Sequence, residues 1–299
     1  MALNSNTNSV EFDPPLPQSQ RERLAYIEFR LYFLGEVSRQ DVMTRFGIAP
    51  AGVTRDFALY RELVPQNISF ESSRKTYVIG KNFFPAFDHV PERVLPALSQ
   101  GFGDGVNPMA GALVPCEMPI SFSRPSMEIL APVTRAIFQK KAIALNYFSR
   151  TSGMTEREIV PFALVSDGLR WHVRAFDLKS KEFRDFVITR MEDTSIIEVN
   201  PLAKQHTEDI QWNRIVELDL VPHPDRGHPE ITVRDHGMHD GVFHLKVRAA
   251  VAGYVLRQWH VDCSPDHSLT DEAFRLWLRD PLALYGVTSA KFAPGYRSP

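Results

Sequence analysis

Between Gln20 and Leu34 the apolar residues Leu24, Ile27, Leu31 and Leu34 fall three or four apart, and Tyr26, Phe29 and Phe33 widen the stripe. That period predicts one buried helix. Gly35 interrupts it, and Ser38 and Asp41 then stand at the spacing of a capping box, in which each side chain satisfies a backbone N–H near the helix start. A short second helix through Val42, Met43 and Phe46 should stop at Gly47, which tolerates the left-handed cap conformation. Pro50 suits the first position of a third helix, whose apolar face is Val53, Phe57 and Tyr60 or Leu63 and which must end before Pro65. Two short helices joined by a tight turn form a helix-turn-helix. Ile68 and Phe70 then alternate, Glu71-Ser72-Ser73-Arg74 turns the chain, and Tyr77-Val78-Ile79 returns, so a β-hairpin wing completes a winged helix over residues 19–81.

Flanking this unit the pattern is lost. Residues 1–18 are polar and proline-rich and read as a disordered arm. Residues 82–130 carry many prolines and read as a linker with a short helix around Glu92–Leu98. The run Gly101-Phe102-Gly103-Asp104-Gly105 has no apolar strand before it and no Lys-Ser/Thr after it, which argues against a phosphate-cradling nucleotide loop.

From residue 131 to 202 the pattern is that of closely spaced strands. A helix over Pro132–Lys140 leads into strands at Ala142–Phe148, Glu158–Val165, Arg170–Phe176 and Phe183–Ile188, with turn signals at Ser152-Gly153 and Asp167-Gly168. Strands this short and dense predict a small, strongly curved barrel. Alternation puts Trp171, Val173 and Ala175 on a core face and Arg170, His172 and Arg174 on the other, where Arg157, Arg184 and Arg190 would extend a cationic patch. In residues 203–299, Leu218–Val221 and Val242–Val247 read as strands and Arg248–Trp259 as a helix.

Composition narrows the class. Of 299 residues 43% are hydrophobic and 23% charged, as in a folded globular protein of two or three domains. The net charge of −2 excludes a surface coated in nucleic acid, so any basic footprint is local. Between Ser38 and Lys81 there are seven Arg and Lys against four Asp and Glu, a mild excess only. The two cysteines, Cys116 and Cys263, form neither a disulfide framework nor a zinc ligand set, which fits a reducing cytoplasm. No secretory signal and no membrane-spanning apolar stretch is legible.

A resemblance emerges from the middle segment. Asn146-Tyr147-Phe148-Ser149, Arg157 to Phe162, Asp167 to Phe176 and Phe183-Arg184-Asp185-Phe186 resemble a WYL domain, with Trp171-His172-Val173 in place of the naming tripeptide. With the winged helix before it and an extension behind, the chain from about Gln20 resembles the BrxR/CapW type of WYL regulator, which controls bacterial anti-phage defence operons. The resemblance implies an α+β architecture of N-terminal winged helix-turn-helix, central Sm-like small β-barrel and C-terminal α/β dimerisation extension. It also implies a repressor released by a nucleotide or nucleic-acid effector bound at the barrel. Arginine forks and aromatic rings suit such an effector physically.

Candidate residues follow. The start of the third helix would enter the major groove, so Ala51, Gly52, Thr54 and Arg55 are candidates for DNA contact, flanked by Arg39, Arg61, Arg74 and Lys75. A double-stranded DNA operator with inverted symmetry is expected, since a two-fold homodimer doubles the few contacts of one winged helix. The effector candidates are Tyr147, Ser149, Arg157, Arg170, His172, Arg174, Arg184 and Arg190. Tyr254, Trp259 and Trp277 would suit a dimer interface or the core of the extension. His223, His228, His236, His239 and His244 are the only material for a metal site, but His236 and His239 lie in a Gly- and Asp-rich turn without a general-base glutamate on a helix. No cofactor and no bound metal is expected. The alternative is a metal-dependent hydrolase acting on nucleic acid, with the winged helix for targeting.

Overall fold

The computed structural model describes residues 15–102, 112–119, 121–198 and 204–298, which fall into two compact units divided after Pro119. The arm up to residue 14 and the glycines at 103 and 105 lie outside the described residues.

In the first unit α1 (Gln18–Leu34) closes on Gly35, whose φ of 81° is the left-handed cap. Strand β1 (Glu36–Val37) follows, too short to show a period in the sequence. Helix α2 (Arg39–Phe46) starts on the expected capping box, with Ser38 Oγ accepting from Asp41 N at 3.2 Å and Asp41 Oδ2 accepting from Ser38 N at 2.7 Å. It ends on Gly47 at φ 63°, and α3 (Pro50–Leu63) begins with proline at its first position. Strands β2 (Ile68–Glu71) and β3 (Thr76–Ile79) form the wing, and β1 pairs antiparallel with β3, giving the order β1-β3-β2. Leu24, Ile27, Leu31, Val53, Phe57 and Tyr60 fill the core with exposures of 1% or less.

A buried acid decides where this unit ends. Glu28 lies on the core side of α1, fully buried, and its carboxylate accepts from Tyr60 Oη (2.8 Å), Ala86 N (2.9 Å) and Phe87 N (2.8 Å), with His89 Nε2 at 3.1 Å. Buried Asn67 clasps Phe84 from both sides, donating to its O at 2.7 Å and accepting from its N at 2.9 Å. Residues 84–89, expected as linker, are therefore stapled to the winged helix, and α4 (Pro91–Gln100) packs Val94 and Ala97 against Phe29. A charge without such donors could not stay in the core.

The second unit opens with α5 (Met127–Gln139), capped by Ser126. It begins a turn and a half before the expected start, because Pro132 sits inside the helix and not at its first position. Strands β4 (Ala142–Ser149), β5 (Gly153–Ser166), β6 (Trp171–Asp177), β7 (Glu182–Val187) and β8 (Met191–Ile197) form an antiparallel sheet in the order β7-β6-β5-β4-β8. Residues 191–197 carried no strand signal in the sequence. Val133 and Ala136 of α5 cover Ile143, Leu145, Ile159, Val173 and Ala175 on the inner face. A closed barrel was expected. The sheet is instead open: β7 and β8 remain its edges, and the tie across the gap is Val187 N donating to Tyr147 Oη at 3.2 Å.

After the short helix α6 (Ile210–Asn213), strand β9 (Ile215–Pro222), helix α7 (Pro229–Asp235), strand β10 (Phe243–Arg248), helix α8 (Ala249–Gln258), strand β11 (Val261–Asp262) and strand β12 (Leu276–Leu278) complete the chain, with the sheet order β10-β9-β12-β11. Helix α8 lies so close to residues 288–292 that a Cβ on Gly253 would stand 1.8 Å from Ser289 O. The Ser289 hydroxyl enters the helix ladder there, accepting from Gly253 N at 3.0 Å and donating to Ala249 O.

Glu28→Gln is expected to lower the stability of the first unit by about 2–3 kcal/mol, since an amide turned toward four donors satisfies fewer of them than a carboxylate. The check is urea unfolding followed by helical circular dichroism. An unchanged midpoint would show that Glu28 does not anchor the 84–89 segment.

Candidate nucleic-acid interface and buried arginine seam

Helix α3 presents one exposed stripe made of Ala51, Thr54, Arg55, Ala58, Arg61 and Glu62, spaced three or four apart, with Gly52 half-buried beside it. Small residues at 51 and 58 let the backbone come close to a groove wall, while Arg55 and Arg61 reach outward. The neighbouring acid does not cancel them, because Asp56 is turned inward, 1% exposed, and held by Arg23 Nε at 2.6 Å. No side chain caps the N-terminus of α3, where Pro50 has no N–H to offer and Gly52 N donates to Ala49 O at 2.9 Å. Thr54 Oγ1 donates to Pro50 O at 3.0 Å, fixing its rotamer. Among the described residues Arg39, Arg55, Arg61 and Lys75 have no carboxylate partner. Arg74 is different: on the wing it pairs with Glu36 at 2.6 Å.

The effector candidates do not gather in one place. Alternation along β6 holds, with Val173 and Ala175 in the inner core, but the expectations about solvent fail at both ends. Trp171, expected in the core, runs past the end of the covered face and is 47% exposed. His172 and Arg174, expected on an open cationic face, are each 5% exposed because residues 204–214 and α8 cover that face. Arg174 Nε and Nη2 form a fork onto Asp209 at 2.8 and 3.1 Å, and its Nη1 donates to Asp185 Oδ1 at 3.1 Å. Asp185 Oδ2 in turn accepts from Tyr254 Oη of α8 at 2.9 Å. The His172 ring stacks on Tyr254 at 5.4 Å, and Tyr254 stacks on Phe292 at 5.0 Å. One further tie crosses the seam, Arg257 Nη2 to the buried Asp167 at 3.0 Å.

Burial sets the protonation of these groups. It pushes the His172 imidazole below its usual value, although Asp167 and Asp185 pull the other way. Burial also raises the Tyr254 phenol, and Asp185 adds to that. For Arg174 burial works downward but Asp209 and Asp185 outweigh it, so the guanidinium is held charged. Asp167 resists burial through the N–H groups of Leu169 and Arg170 and ends below the usual carboxylate value. His172 Nδ1 and Arg170 Nε are buried without a hydrogen-bond partner.

The remaining candidates are scattered. Tyr147 is an inner-core residue whose hydroxyl accepts from Val187 N, and Ser149 closes the β4–β5 turn by accepting from Thr151 N and Ser152 N. Arg157 pairs with Asp177 at 2.9 Å, and Arg170 lies 3.7 Å from Asp167. Arg184 is exposed and pairs with Glu182, while Arg190 has no carboxylate partner among the described residues. Tyr254, named for a dimer interface, is 5% exposed and engaged within its own chain. Trp277 donates to Ser264 O at 2.9 Å, and Trp259 is 57% exposed. The histidines lie in separate pairs, His223 with Asp262, His228 with Glu230 and His244 with Asp219, and no group of three metal-ligating side chains converges among the described residues. No helix among them is long and apolar enough to cross a membrane.

Beside the seam lies a cavity of about 780 Å³. Sequence reasoning had found Arg174 and Arg184 in its lining but not Asp185, on the neighbouring strand, nor Lys204, Asp209, Lys291 or Phe292, which reach it from distant chain.

Arg174→Met is expected to destabilise the second unit by about 3–5 kcal/mol, because Asp209 and Asp185 lose their counter-charge in a buried setting. Adding Asp209→Asn should recover part of the loss; urea unfolding read by tryptophan fluorescence checks both, and a near-neutral single variant would refute the hub. His172 yields a pH dependence. Its folded value lies below that of the unfolded chain, so its contribution is present above about pH 6.5 and is lost as pH falls toward the folded value. His172→Phe, which keeps the stack, should therefore lose less stability than the parent between pH 7.5 and 5.5, two settings that bracket the ordinary imidazole value of about 6.5.

Comparison with known proteins finds three matched segments. Residues 19–95 match the BrxR transcriptional regulator winged helix-turn-helix domain, residues 128–196 the WYL domain, and residues 215–284 the BrxR transcriptional regulator C-terminal dimerization domain. The DNA-binding transcriptional repressor CapW of Stenotrophomonas maltophilia is 30% identical over 262 residues, covering 81% of this chain and 84% of that protein. Its namesake from Escherichia coli strain KTE188 is 27% identical over 282 residues, 90% of this chain and 91% of that protein, and the one from Pseudomonas aeruginosa is 29% identical over 252 residues, 81% and 83%. A relative this similar over this much of both chains places the protein in the BrxR/CapW family of WYL-domain transcriptional regulators.

Proposed function

We propose that this chain is a homodimeric, sequence-specific DNA-binding repressor of an anti-phage defence operon and of its own promoter, acting in the cytoplasm. The observation that carries the reading is the exposed stripe of α3, small at Ala51 and Ala58 and cationic at Arg55 and Arg61, beside a wing tipped by Lys75. The fold and stripe are those of a reading helix, and the relatives' names attach such an element to DNA-binding repressors. Dimerisation through residues 215–284 would impose two-fold symmetry on the operator, with half-sites about one helical turn, ~10 bp, apart or a multiple of it.

Control by a nucleotide or nucleic-acid effector at the WYL sheet belongs to the same reading. The five-stranded antiparallel sheet, with Tyr147 Oη accepting from Val187 N, supports an Sm-like barrel whose edges stay open. The exposed Arg184 and the half-buried Arg190 support an anionic ligand. An effector must favour one arrangement of the dimer to change operator affinity, and the coupling is reciprocal, typically about 1–3 kcal/mol.

Protection mapping on the DNA upstream of the gene tests the proposal. Thr54→Ala with Arg55→Ala should weaken specific binding by about 1–3 kcal/mol, while Lys75→Ala should weaken binding evenly across sequences and reduce the salt slope by about one. Full affinity for a single asymmetric site, or unchanged affinity in the double variant, would overturn it.

A further inference from the structure

The cavity at the seam is flanked by two cations that no acid in the described chain claims. Lys204 and Lys291 both line it, both are exposed, and neither has a carboxylate within ion-pair distance among the described residues. Arg184, also in the lining, is held only by the exposed Glu182, a contact of the kind that contributes little. Phe292, with Tyr254 stacked on one of its faces, supplies an aromatic wall. The acids of the lining are already engaged: Asp209 by Arg174 and as the N-cap of α6, Glu208 by Gln205 N, and Asp185 by Arg174 and Tyr254. At about 780 Å³ the space falls within the range of small-molecule sites, ~300–1,000 Å³.

Arg174 itself is held unequally. Two bonds from one edge run to Asp209, and a single bond from Nη1 runs to Asp185. The single bond is the one an incoming oxyanion can replace, and Asp185, whose other oxygen accepts from Tyr254 Oη of α8, would then lose its guanidinium partner.

We propose that this cavity binds a small phosphate-bearing ligand with an aromatic ring, of mononucleotide size, and that its phosphate competes with Asp185 for Nη1 of Arg174. Lys204 and Lys291 meet the phosphate at the rim, and the ring lies along Phe292. Four cationic and four acidic side chains line the cavity, and Lys204 and Lys291 are the cations without an acid partner among the described residues, so the lining has room for one phosphate group and not for a long polyanion. Binding exchanges the Asp185 carboxylate for the phosphate at Nη1 of Arg174, which leaves Asp185 with Tyr254 of α8 as its partner. The inference rests on the effector-controlled repressor reading and specifies where its control would be exerted.

Isothermal titration of the full chain with ADP, inorganic pyrophosphate and a short single-stranded oligonucleotide tests it, alongside operator binding by the same preparation. ADP should bind best, pyrophosphate less well for want of the ring, and the oligonucleotide least. Lys204→Ala with Lys291→Ala should weaken ADP at least tenfold with unchanged thermal stability, since both side chains are exposed. Asp185→Asn should raise ADP affinity several-fold, because it removes the competing negative charge while its amide oxygen can still accept from Tyr254 Oη; unchanged affinity would show that the phosphate does not reach Nη1 of Arg174. No ADP binding, ADP binding indifferent to the lysines, or preference for the oligonucleotide overturns the proposal while intact operator binding leaves the repressor reading standing. Loss of operator binding by the unmodified chain would overturn that reading instead.

Discussion

A guanidinium that is 5% exposed must be met by carboxylates where it lies, since arginine does not shed its proton and an unpaired charge in a protein interior is far too costly. Arg174 is placed there by the alternation of β6, which points every second side chain away from the α5-covered core. Two acids answer it from different parts of the chain, Asp185 on the adjacent strand β7 and Asp209 beyond the end of the sheet. Because Asp209 is also the N-cap of α6, the 204–214 connection has its position fixed by the same bonds that neutralise the arginine. Gln211 then clips Gly286 O and Thr288 N with its amide, and Ser289 enters the ladder of α8. The meeting of sheet and C-terminal segment thus follows from one buried charge and its neutralisation, with apolar packing filling the space around it.

The first unit solves the opposite problem in the same way. Glu28 is a buried anion, and it draws four donors from α3 and from the segment after the wing. In each unit the charge gathers chain segments that apolar periodicity alone would leave loose, because hydrogen bonds to an ion have direction and apolar contact does not. The segment 84–89 is short of regular structure, yet it is fixed by three backbone N–H groups, two given to Glu28 and one to Asn67.

Legibility in the sequence followed the locality of the cause. Caps and turns were readable at Ser38, Asp41, Gly47 and Pro50, where the partner is within four residues and the chemistry is that of one helix end. The alternation of 170–176 was equally plain, and it placed Arg174 on the correct side of the sheet. What covers that side was not readable, since Asp209 is 35 residues away and nothing in the spacing marks it as a partner. Trp171 misled because an alternating position is buried only as far as the covering helix extends. Strands of two or three residues, such as β1, β11 and β12, hold no period at all; their pairing comes from neighbours already in place. The burial of Glu28 left no mark in the sequence either, since its donors come from distant chain. The exposed stripe of α3 was legible because it needs only one helix, and the cavity lining was not because it needs four segments to meet.

A seam built on charge behaves differently from one built on apolar contact. Replacing a buried ion pair by well-packed apolar side chains is often neutral or stabilising, so stability alone does not account for Arg174, Asp185 and Asp209 at this junction. What the ionic arrangement adds is sensitivity to another anion. An apolar seam has no site for a competing phosphate, whereas a guanidinium with one weaker tie can exchange one oxyanion partner for another. Exchange at Nη1 leaves the Asp209 fork in place, so the 204–214 connection stays docked while Asp185, which also accepts from Tyr254 of α8, loses its guanidinium. The asymmetry of the fork, two bonds against one, sets which part of the molecule would move and which would stay. That division puts the response in α8, which follows directly on β10 of the region matched to the dimerization domain, and away from the sheet that carries Arg174 itself.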